Sequence, residues 1–385
     1  MNKRKVCIIV ASRANYGRIK SVLHAVNEHP GLELQLVVEA SALLYRYGSI
    51  IENIQRDGFT VDATAYTIVE GENPTTMAKS TGLAIIELTS VFERLKPDVV
   101  LTVADRFETL ATAVAASYMN IPLAHTQGGE LTGSIDESVR HAITKLSHVH
   151  FPSNDRAAAI LSAMGEEPWR IFVTGCPAID LAAQAITCDP GDLFVKYGGT
   201  GQPLSWDEPF LVVLQHPVTT EYGNSGKQIE QTLEAVSNIA MQTAWFWPNV
   251  DAGSDDISKR LRMFRERNTL FPLHFYRNFS PEDYACLLNK AACLVGNSSS
   301  GIREGAYLGT PVVNIGSRQR SRQRGGNVID AGYDAQAIEA GIRSQLANGR
   351  YPSDHLYGDG KAAPRIADAL ATVELNITKQ FIHGQ

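Results

Sequence analysis

Residues 6–39 read VCIIVASRANYGRIKSVLHAVNEHPGLELQLVVE, and the order of patterns in that stretch decides the fold. Residues 6–11 are a short apolar run rich in β-branched side chains, as in a buried strand. Residues 19–29 place Ile19, Val22, Leu23 and Val26 at helical spacing, and residues 34–39 return to a strand pattern. Strands separated by helices of ten or more residues make βαβ units, whose parallel sheet is covered on both faces.

The alternation continues outward. Helices are predicted near 49–57 and over 76–95, the latter ending before Pro97. Strand 98–103, helix 109–119, strand 122–125, helix 136–146, strand 149–152, helix 155–164 and strand 171–174 follow. Between 182 and 208 the pattern weakens. Asp189-Pro190-Gly191 and Gly198-Gly199-Thr200-Gly201 are turn chemistry there and mark a boundary. Strands then recur at 210–214, 243–247, 273–275, 293–295 and 311–315, with helices at 227–241, 255–267, 281–290, from 302, and at 363–375. A chain of 385 residues exceeds one ordinary core. The expectation is α/β architecture, with two doubly wound Rossmann-like domains facing a central cleft. Residues 1–180 and 181–364 are the two expected domains, with 365–385 packing back on the first.

A net charge of −6 excludes a global basic field for nucleic acid, so any phosphate must sit in a local pocket. The five cysteines are odd in number and form no C-x-x-C pair. They fit a reducing cytoplasm and argue against a disulfide framework or a cysteine zinc site. The apolar run at 6–11 is too short for a signal-peptide core, and no stretch approaches the length of a membrane span. No metal and no cofactor are expected.

In doubly wound sheets ligands bind at the carboxyl ends of strands, so the candidates are read there. After the first strand, Ser12 to Arg18 is either an anion site, with Arg13 as a bidentate partner, or a polar turn with solvated arginines. It holds no G-x-G-x-x-G dinucleotide fingerprint. Asp105, Arg106 and Glu108 follow a buried strand and must be exposed at its mouth or mutually paired. The densest polar run holds His125, Gln127, Glu130, Asp136, Glu137, Arg140 and His141. Gly128 and Gly129 within it permit close approach to a ligand, and Asp136 and Arg140 share a helix face. His148 and His150 read as incidental rather than as metal ligands. In the second half the candidates are His216, the polar residues Asn249, Asp251 and Ser254, and the run Gly296 to Gly301. That run opens a helix where Ser298 and Ser299 could hold a phosphate and Glu304 a ribose diol. Arg318, Arg320, Arg322 and Arg324 form either a solvated loop or a lid over a diphosphate.

Together these segments resemble the hydrolysing UDP-N-acetylglucosamine 2-epimerase family, of the sialic-acid and legionaminic-acid pathway type. The likeness runs from about residue 6 to 369. It rests on Ser-Arg-Ala-x-Tyr at 12–16, Asp-Arg-Phe at 105–107, Gly-Gly-Glu at 128–130 and Ile-Asp-Glu-Ser-Val-Arg-His-Ala-Ile-Thr-Lys-Leu at 135–146. Gln-His-Pro-Val-Thr-Thr at 215–220, Pro-Asn-x-Asp-Ala-Gly-Ser at 248–254, Gly-Asn-Ser-Ser-x-Gly at 296–301 and Tyr-Gly-Asp-Gly at 357–360 continue it. The resemblance implies a glycosyltransferase-B fold and a UDP-sugar substrate with UDP as product. It also implies a homodimer or homotetramer built through N-terminal-domain helices. Ser298 and Ser299 would bind the diphosphate, Glu304 the ribose, and Phe279 would lie near the uracil, with His216 and Arg13 near the phosphates. Arg106, Asn249, Asp251, Ser254, Arg318 and Arg322 complete the implied binding set.

The implied reaction eliminates UDP from C1 and a proton from C2, giving a 2-acetamidoglucal, and then adds water with C2 inverted. From UDP-N-acetylglucosamine the products are N-acetylmannosamine and UDP. Asp105 and Asp136 match two family carboxylates, with Arg140 and His216 beside them. Gln127 stands where well-known members carry glutamate. An amide cannot exchange protons, so Glu130, Asp136 or water takes that task, or Gln127 only positions the sugar. UDP-2,4-diacetamido-2,4,6-trideoxyglucose is the alternative substrate. A glycosyltransferase using a UDP-sugar would share fold and phosphate site, but the polar cluster of the first half favours the epimerase.

Overall fold

The structure is a computed structural model that describes residues 3–103 and 106–382. The first sheet contains β1 (Arg4–Val10), β2 (Leu32–Glu39), β3 (Ala63–Ala65), β4 (Val99–Val103), β5 (Leu123–Thr126) and β6 (Val149–Phe151). They lie in the order β3-β2-β1-β4-β5-β6, all parallel. The second sheet contains β7 (Thr200–Gly201), β8 (Leu211–Leu214), β9 (Thr243–Phe246), β10 (Leu273–Tyr276), β11 (Cys293–Gly296), β12 (Val312–Ile315) and β13 (Val328–Ala331). Its order is β13-β12-β11-β8-β9-β10-β7, parallel except for the antiparallel edge strand β7. Each sheet is therefore doubly wound, with the winding reversed between β1 and β4 and between β8 and β11. Two such sheets across a cleft are the glycosyltransferase-B arrangement.

The period-two alternation of β1 shows why its apolar run is continuous. Val6, Ile8 and Val10 pack one way, against Ile19, Val22 and Leu23 of the Arg13–Glu28 helix. Cys7 and Ile9 pack the other way, against Leu88, Phe92 and Ala113. Both faces are apolar because both are covered. Strand β8 repeats the device, with Val212 and Leu214 in one core and Leu211 and Val213 in the other.

Several elements differ from expectation. The first helix starts at Arg13 rather than 19, because Ser12 caps it by accepting from the Asn15 amide; residues 13–18 lack the apolar spacing that would show this. Residues 171–174 are not a strand but a single bridge from Ile171 to His150. The helix expected from 302 is two short pieces, Ser299–Ile302 and Glu304–Leu308, broken at Arg303. The Ala362–Thr372 helix packs on Arg13–Glu28 and adds Ile366 and Leu370 to the core of the first sheet. Its first amides, of Ala362 and Ala363, donate to the Asp180 carboxylate at 2.8 Å each. The cysteine expectation is also corrected, since Cys188 and Cys286 form a disulfide while Cys7, Cys176 and Cys293 are free. Spacing in sequence could not show it, because 98 residues separate two thiols brought together by packing of the Pro281–Lys290 helix. No helix among the described residues is long and apolar enough to cross a membrane.

Candidate functional site

The two winding reversals face each other across one cavity of about 860 Å³ that is partly open to solvent. A cleft between two domains is a usual place for a small ligand. The first half contributes Ala14, Gly17 and Arg18, three residues on one face of the first helix, with Arg13 and Arg106. The second contributes His216, Asn249, Phe279, Tyr284, Ser298 to Ser300, Glu304 and Arg318.

Hydroxyls and cations converge there. Arg18 Nη2 donates to Ser299 Oγ at 2.9 Å across the cleft. Ser298 Oγ accepts from the Ser300 amide at 3.3 Å, and the Ser300 hydroxyl lies 2.8 Å from both Ser298 Oγ and the Tyr284 hydroxyl. With the helix broken at Arg303, these side chains rather than a long helix dipole carry the polarity. The His216 ring is held well below the ordinary histidine range by burial and then by Arg318, Arg13 and Arg106. Its Nδ1 accepts from the Asn249 amide at 3.2 Å, so the neutral ring carries its proton on Nε2. Glu304 has an enclosed Oε2 with no protein partner, and burial raises its pKa against the pull of Arg303. An acceptor left unmatched in a ligand-sized cavity is suited to a diol. Phe279 stacks on Tyr197 at 4.0 Å and gives the cavity an aromatic wall.

Several predicted ligands, including Arg13 and Arg106 of the cavity lining, are engaged by protein partners, mostly between the halves. Arg13 donates to the Trp247 carbonyl at 3.2 Å, to Asn249 Oδ1 at 2.9 Å and to the Arg277 carbonyl at 2.5 Å. Arg106 holds Glu108 at 2.9 Å and Asp251 at 2.8 Å. Burial works against its charge, but Asp251 and Glu108 outweigh it and raise its pKa. Ser254 donates to Glu72 at 2.5 Å. Arg322, with Arg303, grips the Glu130 carboxylate. Of the arginine loop only Arg318 lines the cavity, while Arg324 bonds the carbonyls of its own loop and Arg320 is exposed.

The dense polar run of the first half is largely a buried frame. A Cβ on Gly128 would stand 2.1 Å from the His125 ring, and one on Gly129 2.1 Å from the Ala157 carbonyl. The glycine pair therefore admits the protein's own atoms rather than a ligand. Gln127 is buried at φ 61°, and its amide donates to Cys176 Sγ at 3.1 Å. Glu130 accepts from Ser153 at 2.9 Å and from Arg303 at 2.5 Å, with Arg322 on the same oxygen. Burial opposes its charge, yet Arg303, Arg322 and Arg140 hold its pKa at about 2, so it stays ionised and does not exchange protons near neutrality. Arg140 is buried and donates to the Glu130 carbonyl at 2.9 Å, fixing the turn. Asp136 is half-buried. Its Oδ2 lies 3.8 Å from Arg318, a cavity-lining cation, and its charge helps to raise the pKa of Arg106. Asp105 lies outside the described residues. Among the described residues no cluster of His, Cys, Asp or Glu could hold a metal ion.

Sequence reasoning held Arg18 within its candidate anion site but gave it no role, and it missed Tyr284. Arg18 stands one helical turn after Ala14, so a start of the helix at Ser12 would have revealed it. Tyr284 sits three residues after Pro281 on the next wall, with the same face as the only signal.

A family model described as UDP-N-acetylglucosamine 2-epimerase matches residues 24–371. The UDP-N,N'-diacetylbacillosamine 2-epimerase (hydrolyzing) of Legionella pneumophila is 34% identical over 374 residues, 97% of this chain and 97% of that one. The UDP-N-acetylglucosamine 2-epimerase of Neisseria meningitidis is 29% identical over 387 residues, 99% of each chain. A crystal structure of UDP-GlcNAc 2-epimerase from Neisseria meningitidis bound to UDP-GlcNAc has a TM-score of 0.77 at 18% identity, covering 95% of this chain and 99% of that one. The low identity of that structure speaks for the fold alone, but the family model and the sequence relatives span nearly the whole chain, and the chain belongs to the UDP-N-acetylglucosamine 2-epimerase family.

Proposed function

We propose that the protein is a hydrolysing 2-epimerase that releases UDP from a UDP-2-acetamido sugar and inverts the sugar at C2. One observation carries this reading: both winding reversals meet in a single cavity that gathers Arg18, Arg106, Arg318, neutral His216 and three serine hydroxyls beside an unmatched Glu304 oxygen. The diphosphate sits among the cations and serines, the ribose against Glu304, and the uracil near Phe279.

A C2 proton with no neighbouring carbonyl is weakly acidic, so its removal must be coupled to departure of UDP from C1. Fixed cations and the His216 Nε2–H lower that barrier by favouring charge on the leaving phosphate. Asp136, beside Arg318, is the proposed proton-transfer group, with Asp105 as its partner. Gln127 positions and does not exchange protons. Water then adds to the glycal, with the proton returned to the opposite face of C2.

Two sugars compete. The name of the 34%-identical relative favours UDP-N,N'-diacetylbacillosamine, which is UDP-2,4-diacetamido-2,4,6-trideoxyglucose, over UDP-N-acetylglucosamine. In a coupled assay without acceptor, UDP release is expected from both, with the higher kcat/KM on the diacetamido sugar. Release that requires an acceptor would make the protein a transferase, and no release from either sugar would overturn the proposal.

A further inference from the structure

Beneath the turn that carries Gln127 runs a buried chain of side chains that the proposed chemistry does not use. His125, at the end of β5, has Nε2 2.7 Å from His150 Nδ1. His150 Nε2 is 3.0 Å from Glu166 Oε2. Glu166 is held by Lys145 at 2.7 Å and by Lys379 at 2.6 Å. Lys379 belongs to a C-terminal segment stitched down by Arg170, which donates to the carbonyls of Asn376 at 2.9 Å and Thr378 at 2.8 Å. His125, His150 and Glu166 are all at most 1% exposed.

The order of donors in this chain follows from its anionic end. The two lysines and His150 keep Glu166 ionised despite its burial, so His150 must donate from Nε2 and accept at Nδ1. His125 then donates from Nε2, and its Nδ1 is left without a partner. Burial lowers the pKa of both rings, with His150, Lys379 and Arg140 adding to it at His125; at His150 burial, with Lys379 and Arg170, outweighs the opposing pull of Glu166. The ring so oriented is the surface on which Gly128 rests, in the contact too close for any Cβ.

We propose that Glu166, His150 and His125 form a positioning relay that fixes the 127–130 turn, and through it the placement of Gln127 and Glu130, with the C-terminal segment anchoring the far end through Lys379. The role is one of positioning, because none of the three lines the cavity. The inference rests on the 2-epimerase reading for its kinetic consequence but not for its spectroscopic one.

Histidine-selective ¹⁵N spectra of the intact protein should show His125 and His150 as neutral Nε2–H tautomers, and Glu166→Gln should abolish the single tautomer at His125. Kinetically, His150→Leu should lower kcat at least 30-fold with KM changed less than 3-fold. His150→Asn, whose Oδ1 can accept from His125 as Nδ1 does, should recover to within 5-fold of wild type. Both variants lose the Glu166 contact, so a merely structural role predicts equal losses. Should both fail to fold, Lys379→Met, at the surface end, should loosen the tautomer while leaving the fold intact. Mixed tautomers in the wild type, or equal activities for the two His150 variants, would overturn the relay. A wild type with the expected spectra but no UDP release would instead fail the functional reading and leave the relay standing.

Discussion

Glu130→Gln is expected to destabilise the protein by about 3–5 kcal/mol, the usual cost of removing one partner from a buried ion pair. One carboxylate here answers two arginines from the other half of the chain, Arg303 and Arg322, both nearly inaccessible. Arg322 is already pulled down to about 10, by burial first and by Arg303 second, so the variant loses the carboxylate that both crowded cations share. The pKa argument agrees in size. A carboxylate lowered from 4.5 to about 2 contributes roughly 3 kcal/mol above pH 4.5. Because the folded value is the depressed one, that contribution is lost as the pH falls from 4.5 towards 2. The gap between wild type and variant, read from urea unfolding followed by tryptophan fluorescence, should therefore narrow between pH 5 and pH 3. A variant within 1 kcal/mol of wild type at pH 7, or a gap that widens in acid, would contradict the clamp.

Asp136→Asn should lower kcat by a factor on the order of 10³, within the range attributed to a positioned acid–base group, while the Kd for UDP changes less than 3-fold. The separation follows from geometry. Asp136 sits on the first turn of the Ile135–Leu146 helix, 3.8 Å from Arg318, whereas the hydroxyls and Arg18 of the proposed diphosphate site lie on other elements. Calorimetric titration with UDP beside steady-state kinetics checks both halves. Turnover within 10-fold of wild type would remove Asp136 from the mechanism, and loss of UDP affinity would move it to the binding site.

The architecture was legible because a strand buried on both faces must be apolar at every position, and helices of ten or more residues separate such runs. What escaped lacked that cause. Strand β3 is Ala-Thr-Ala, β7 is two exposed residues, and β13 carries Asp330. The Pro177–Ala185 and Ala335–Asn348 helices are rich in alanine, which blurs the apolar stripe. At the site, sequence located polar groups at strand ends but not what each one touches. Ser298, Ser299, Glu304, His216, Asn249, Phe279 and Arg318 line the cavity, as do Arg13 and Arg106. Asp251, Ser254, Glu130 and Arg322 are engaged by residues more than 140 positions away. Such long-range pairing has no local signal. Gln127 had the same ambiguity: its backbone is left-handed, its amide nitrogen is engaged by Cys176, and its Oε1 is buried without a partner.

The central claim is that this cavity eliminates UDP across C1 and C2 and then returns a proton and water. Turnover of a UDP-2-acetamido sugar in deuterated water, followed by ¹H NMR of the released sugar, tests it most directly. The account predicts free 2-epimerised sugar with deuterium at C2 and no acceptor requirement. Released sugar that keeps its C2 proton, or its original C2 configuration, would show simple hydrolysis and contradict the account.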